Sequence, residues 1–125
     1  MNLSIQITQA PILPPPLPFP ADGTFGAVCE FYGVVRGEEK GATITQLYYE
    51  SYQSMAEKEM QKIGNALFLK YPCHRVEVIH RIGAIPAGEP SLWIRTVGKH
   101  RQESIRFIDE FIVLLKENVP IWKRF

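Results

Sequence analysis

Three sets of cationic residues are the ones able to do chemistry in this 125-residue sequence. Lys99, His100 and Arg101 form a run, Lys116 and Lys123 bracket Pro120 and Trp122, and Arg36 closes the β-prone stretch FYGVVR. Such side chains bind phosphate or carboxylate, and a desolvated lysine becomes a better base or nucleophile. Each also has a plain structural reading. KHR could be a solvated helix start, Arg36 a hairpin-tip charge, Lys116 a cation suited to a helix C-terminus, and Lys123 a solvated tail charge. At KHR the positive charge opposes the helix dipole, a small cost that makes sense where something negative binds. Trp122 could bury its ring and hold the Lys123 ammonium in a drier place.

The remaining reactive residue types have quieter readings. His80 alternates with Val76 and Val78 on one strand face and reads as a packed histidine. Cys29 lies among strand residues as a small core filler, and Cys73, in YPCH, reads as inert. The sequence contains no Gly-rich phosphate loop, nucleophile elbow or zinc ligand set, so neither a metal nor a cofactor is expected.

The elements that must position these cations follow from periodicity. Asn2 to Thr8 alternates as a short strand. APILPPPLPFPADG, residues 10–23, reads as an extended surface connector, because its prolines can neither donate to a ladder nor sit inside a helix; a PxxP docking segment is the alternative. Thr24 to Val35 and Thr43 to Ser51 read as the arms of a long hairpin around RGEEKGA. Ser54, with Glu57 three residues on, forms a capping box for a helix whose Ala56, Met60, Ile63 and Leu67 share one face. A second hairpin joins Arg75–Ile82 to Ser91–Val97 through GAIPAGEP. Ile105, Ile108, Ile112 and Leu115, widened by Phe107, Phe111 and Leu114, mark a helix from about Lys99 to Asn118 that Pro120 stops. The expected fold is α+β: an antiparallel sheet from two hairpins, each followed by a helix packing on the sheet.

Composition sets bounds. The length suits a single domain, residues 1–125, that needs no disulfide or metal to be stable. Fourteen Lys and Arg against 13 Asp and Glu give a net charge of +1, which argues against general attraction to nucleic acid or membrane and makes any anion site local. That near-neutrality also weakens a reading of Tyr48, Tyr49 and Tyr52 as stacking platforms for a single strand. Two cysteines are too few for a disulfide framework. MNLSIQITQ lacks the basic start and apolar run of a signal peptide, and no stretch approaches a membrane helix, so a cytoplasmic location is expected.

Taken in order, FYGVVRG, LYYESYQSMAEKEM, VIHRIG, KHR and LLKENVPIWKRF resemble the catalytic large subunit of molybdopterin synthase, over about Gly26 to Arg124. The resemblance implies conversion of cyclic pyranopterin monophosphate (precursor Z) to the dithiolene of molybdopterin. Sulfur would come from the thiocarboxylated C-terminal glycine of a small ubiquitin-like subunit. It also implies a homodimer of this chain carrying a small subunit at each end, a heterotetramer. Carried over by motif, Lys116 and Lys123 are the catalytic lysines, and Arg36, His100 and Arg101 hold the phosphorylated pterin. Three departures from the family pattern are visible: the proline-rich stretch replaces an N-terminal helix, Gly98 stands where serine is frequent, and Phe125 is the last residue, whereas relatives usually read on past the WK motif with an acidic residue and a longer tail.

Helix geometry adds a constraint independent of family. His100 and Lys116 are separated by a predicted helix that places them more than ~20 Å apart in one chain, at about 1.5 Å per residue. If both serve one small substrate, His100 and Arg101 must come from a neighbouring copy at a two-fold interface.

Overall fold

The computed structural model describes residues 2–19 and 22–124, so part of the 10–23 connector lies outside the described residues. Asn2–Thr8 (β1), Ala27–Val34 (β2), Glu38–Glu39 (β3), Ala42–Thr43 (β4) and Gln46–Ser51 (β5) precede the helix Gln53–Lys70 (α1). Arg75–Arg81 (β6), Gly83–Pro86 (β7) and Pro90–Gly98 (β8) lead to the helix Arg101–Asn118 (α2), and Ile121–Arg124 (β9) follows it. The main sheet has the order β1-β6-β8-β2, a smaller sheet the order β7-β5-β9, and β3 pairs with β4.

β8 accounts for the main sheet. It is buried along its length from Ser91 to Gly98, the mark of a central strand, and its backbone must find partners on both edges. β6 supplies one edge, antiparallel, with His80 opposite Leu92. β2 supplies the other, with Phe31 opposite Ile94. The anticipated hairpin between residues 24–35 and 43–51 therefore does not form: β2 is taken by β8, and β5 pairs with β7 and β9. The anticipated β6–β8 hairpin does form. β1 joins β6 in parallel, which makes the sheet mixed within the expected α+β class. Gly83, at φ +88°, takes the left-handed conformation that lets the chain leave the main sheet after β6 and enter the smaller one as β7.

Both helices cover one face of the main sheet. α1 buries Ala56, Met60, Ile63 and Leu67, and α2 buries Phe107, Ile108, Phe111 and Leu115 into the same core, with the Phe68 and Phe107 rings 5.1 Å apart. Each large side chain withdrawn from water contributes about 1.5–3 kcal/mol. Ile105, expected in the stripe, faces outward, so the buried line of α2 centres on Phe107, Phe111 and Leu115. The capping box is absent: α1 starts after Tyr52, with no side-chain cap, and Ser54 lies in its first turn. The helix entry is fixed instead from outside, by the Tyr52 N–H donating to the Pro120 carbonyl and by the Tyr52 ring edge-on to Trp122 at 5.2 Å.

The proline-rich segment runs without regular structure along the opposite face of the sheet. Ile12 packs on Ile79 and Trp93, and Arg95 Nη1 donates to the Pro15 carbonyl at 2.8 Å. Arg95 in turn grips the Glu77 carboxylate with Nε and Nη2 at 2.8–3.0 Å, a nearly buried ion pair beneath the segment. No helix among the described residues is long and apolar enough to cross a membrane.

Candidate active site

The two sheets and the C-terminal end of α2 meet around a pocket of about 450 Å³. Arg36, just past β2, Lys116, in the last turn of α2, and Lys123, on β9, all line it. Residues 80 positions apart in sequence are thereby gathered at one opening. Phe31, Leu47, Leu92, Ile112 and Leu115 supply apolar wall, so the cations sit around a hydrophobic interior. Such a cavity suits a flat, partly apolar molecule with an anionic end.

The sequence pattern marks neither β9 nor β7, which lies inside the GAIPAGEP segment expected to be turn, and it is β9 that carries Lys123 to the pocket. Its antiparallel pairing with β5 sets Lys123 opposite Tyr49 and Trp122 opposite Glu50. Strand alternation then sends Ile121 and Lys123 to the pocket side and Trp122 and Arg124 to the other. Arg124 pairs with Glu50 and lies over the Tyr48 ring, while Trp122 packs on Tyr52. Trp122 is 46% exposed and does not form the dry wall expected beside Lys123. What restrains Lys123 is the strand pairing together with Glu39. That carboxylate stands 3.6 Å from Lys123 Nζ and 3.6 Å from Arg36 Nη2, so one acidic group bridges two of the cations. Nothing in the sequence pattern singled out Glu39, because β3 and β4 bend it over the pocket only once the chain has folded.

His100 and Arg101 lie elsewhere. His100 is the residue before α2, exposed, with Nδ1 3.7 Å from Glu103 Oε2, and Arg101 is the exposed first residue of the helix. His100 lines a second hollow with Lys99, His74 and Cys73. From His100 to Lys116 the helix advances about 24 Å, so within one chain the two cation groups occupy opposite ends of α2.

His80 is buried, as its alternation implied, yet it also lines the main pocket. Its Nδ1 lies 2.8 Å from the Arg81 carbonyl, and the Tyr49 ring meets it edge-on at 5.5 Å. Burial keeps the imidazole neutral, its pKa pushed down to about 4 against a smaller opposing effect of the Arg81 hydrogen bond. Burial also raises both thiols, Cys73 to about 11, which holds them as unreactive S–H. Among the described residues, no cluster of three His, Cys, Asp or Glu side chains could hold a metal ion.

Comparison with known proteins fits this geometry. The family model described as MoaE protein matches residues 13–118. The chain is 36% identical over 106 residues to a Dictyostelium discoideum molybdopterin synthase catalytic subunit, covering 83% of this chain and 67% of that one. To the Rattus norvegicus protein of the same name it is 39% identical over 99 residues, covering 79% of this chain and 50% of that one. It thus spans about half the length of this mammalian relative. Among solved structures, the molybdopterin synthase of Staphylococcus aureus superposes with a TM-score of 0.81 at 32% identity, covering 94% of this chain and 86% of that one. A Helicobacter pylori complex of subunits 1 and 2 of molybdopterin-converting factor shares the fold, with a TM-score of 0.68 at 23% identity over 97% of this chain and 82% of that one. Sequence match, fold and the order of the motifs agree, and the chain belongs to the MoaE protein family.

Proposed function

We propose that this chain is the catalytic subunit of a molybdopterin synthase. It would convert cyclic pyranopterin monophosphate to molybdopterin with sulfur delivered by the thiocarboxylated C-terminus of a small ubiquitin-like subunit. The observation that carries this reading is the meeting of Arg36, Lys116 and Lys123, from three different elements, around one apolar pocket. In this mechanism the thiocarboxylate sulfur replaces an oxygen on a side-chain carbon of the pterin, the C–S bond forming as a C–O bond breaks. Water then cleaves the acyl–sulfur bond, returning the partner's tail as a carboxylate and leaving the sulfur on the pterin, and a second thiocarboxylate supplies the second sulfur of the dithiolene in the same way. Arg36 orients the phosphate end. Lys116 neutralises oxyanion charge as it develops or moves protons, and Lys123 assists. His100 and Arg101 complete the phosphate contacts from a second copy, since α2 holds them about 24 Å from Lys116 in their own chain.

The test is dithiolene formation with purified thiocarboxylated small subunit. Wild-type protein is expected to turn over and Lys116→Ala to lose about a hundredfold or more, the size of effect typical for a lost electrostatic or proton-transfer group. Tight binding of the small subunit with no product from wild type would favour the rival reading, a non-catalytic module that keeps only the groove for a sulfur-carrier tail.

A further inference from the structure

The mechanism above uses the cations at the mouth of the pocket and leaves its inner polar group without a task. That group is His80, on the sheet side of the cavity, 4% exposed, with Leu92 opposite it on β8 and Tyr49 against its ring. The carbonyl of Arg81 can only accept, so the contact at 2.8 Å requires the proton to sit on Nδ1. Nε2 then carries the ring's lone pair and is the acceptor left for a ligand on the pocket that His80 lines. The ring stays neutral because burial disfavours the imidazolium. Ser91, the neighbouring small polar residue of the pocket, already donates its hydroxyl to the Gly33 carbonyl. The cavity is therefore polar in two different ways. Its mouth offers positive charge, with the Arg36 side chain 76% and the Lys123 side chain 48% exposed. Its interior offers uncharged polar groups, of which the neutral His80 imidazole is a ring acceptor with no proton of its own at Nε2, beside the hydroxyls of Ser91 and Tyr49.

We propose that His80 is a substrate-binding residue that accepts, through Nε2, a hydrogen bond from an N–H or O–H of the bound heterocycle, and so selects ligands that pair an outer anion with an inner donor. This rests on the functional reading above and deepens it. An acceptor buried among apolar side chains discriminates by what it leaves unpaired: a ligand of equal shape without the donor strands Nε2 away from water. The two ends of the pocket would in this way fix which end of the phosphorylated pterin enters first.

The experiment measures binding of two probes, cyclic pyranopterin monophosphate and phenyl phosphate, to wild type, His80→Leu and His80→Gln. It measures product formation with the thiocarboxylated small subunit in parallel. Phenyl phosphate keeps a ring and the anion but has no ring donor. His80→Leu is expected to weaken the pterin ligand about tenfold and raise KM by a similar factor, with kcat within about threefold and phenyl phosphate within about twofold. His80→Gln, whose amide oxygen reaches the position of Nε2, is expected to restore most of the pterin affinity. Equal weakening of both probes would mean that His80 only shapes the pocket and would overturn the assignment. So would unchanged pterin binding in His80→Leu while wild type remains active, a result that leaves the synthase reading intact. If wild type binds no pterin phosphate and makes no product, the synthase reading fails and the His80 assignment fails with it.

Discussion

His80 also makes a prediction about stability that needs no substrate. A histidine in an unfolded chain titrates near 6.5, whereas burial in this fold brings the His80 value to about 4. Between these values the unfolded chain binds a proton at this site and the native chain does not, so stability must fall as pH falls and rise as pH rises. Going from about pH 7 to about pH 5, the preference of the unfolded state for the proton grows roughly 20-fold, which is about 2 kcal/mol. With a urea slope near 1.5 kcal/mol/M for a chain of this size, the midpoint should drop by roughly 1 M. Below about pH 4 both states are protonated and this contribution levels off. The carboxyls of Asp22, hydrogen-bonded by Thr24, and Glu110, held by Lys70, are themselves depressed below the usual range, so their own losses begin at more acidic pH. The assay is urea unfolding followed by far-ultraviolet circular dichroism at the two pH values, on wild type and His80→Gln. The glutamine variant should lose most of the pH dependence. A wild-type midpoint that moves by less than about 0.3 M, or an equal shift in both proteins, would refute the argument that a neutral, buried imidazole is part of this core.

Other expectations follow from the same geometry. Glu77→Ala would strand the Arg95 guanidinium beneath the proline-rich segment and should cost about 3 kcal/mol or more in urea unfolding, well above the value for an exposed pair such as Lys70–Glu110. Gly26→Ala would place a Cβ 1.9 Å from the Lys99 carbonyl oxygen, where backbone has to move, so a loss of about 2–3 kcal/mol is expected in the same measurement. Glu39→Gln removes the carboxylate that bridges Arg36 and Lys123, and should tighten binding of a phosphate monoester about threefold at low salt, an advantage that fades as ionic strength rises, in calorimetric titration.

The local periodicities were legible and the long-range pairings were not. Both helices could be read from their apolar spacing, and α2 ends at Asn118 because Pro120 cannot continue it. The β6–β8 hairpin carried its own turn residues. The partner of β2 is not legible, because a half-buried strand of alternating residues does not state which neighbour it will pair with. The clue lay in β8 instead: its uninterrupted burial demands two flanking strands, and β2 is one of them. β9 was invisible for another reason. Four residues after a proline carry too little periodicity to distinguish a strand from a tail, and only pairing with β5 makes them one. At the site, Arg36, Lys116 and Lys123 were named by type and motif, and the fold brings them to one cavity. His80 was read correctly as packed, but alternation cannot say that the core face of β6 opens into a pocket at its C-terminal end. Glu39 gave no signal at all, since its meaning depends on two cations that approach it through the tertiary structure.

The central claim is that one site draws its cations from two copies of the chain, and subunit mixing tests it most directly. His100→Ala and Lys116→Ala proteins, each expected to be nearly inactive alone, are unfolded together, refolded at equal concentration and assayed for dithiolene formation. If sites are shared, half the dimers are mixed and each of those holds one intact site of two, so activity should return to about a quarter of wild type. A mixture no more active than its separate components would contradict the account.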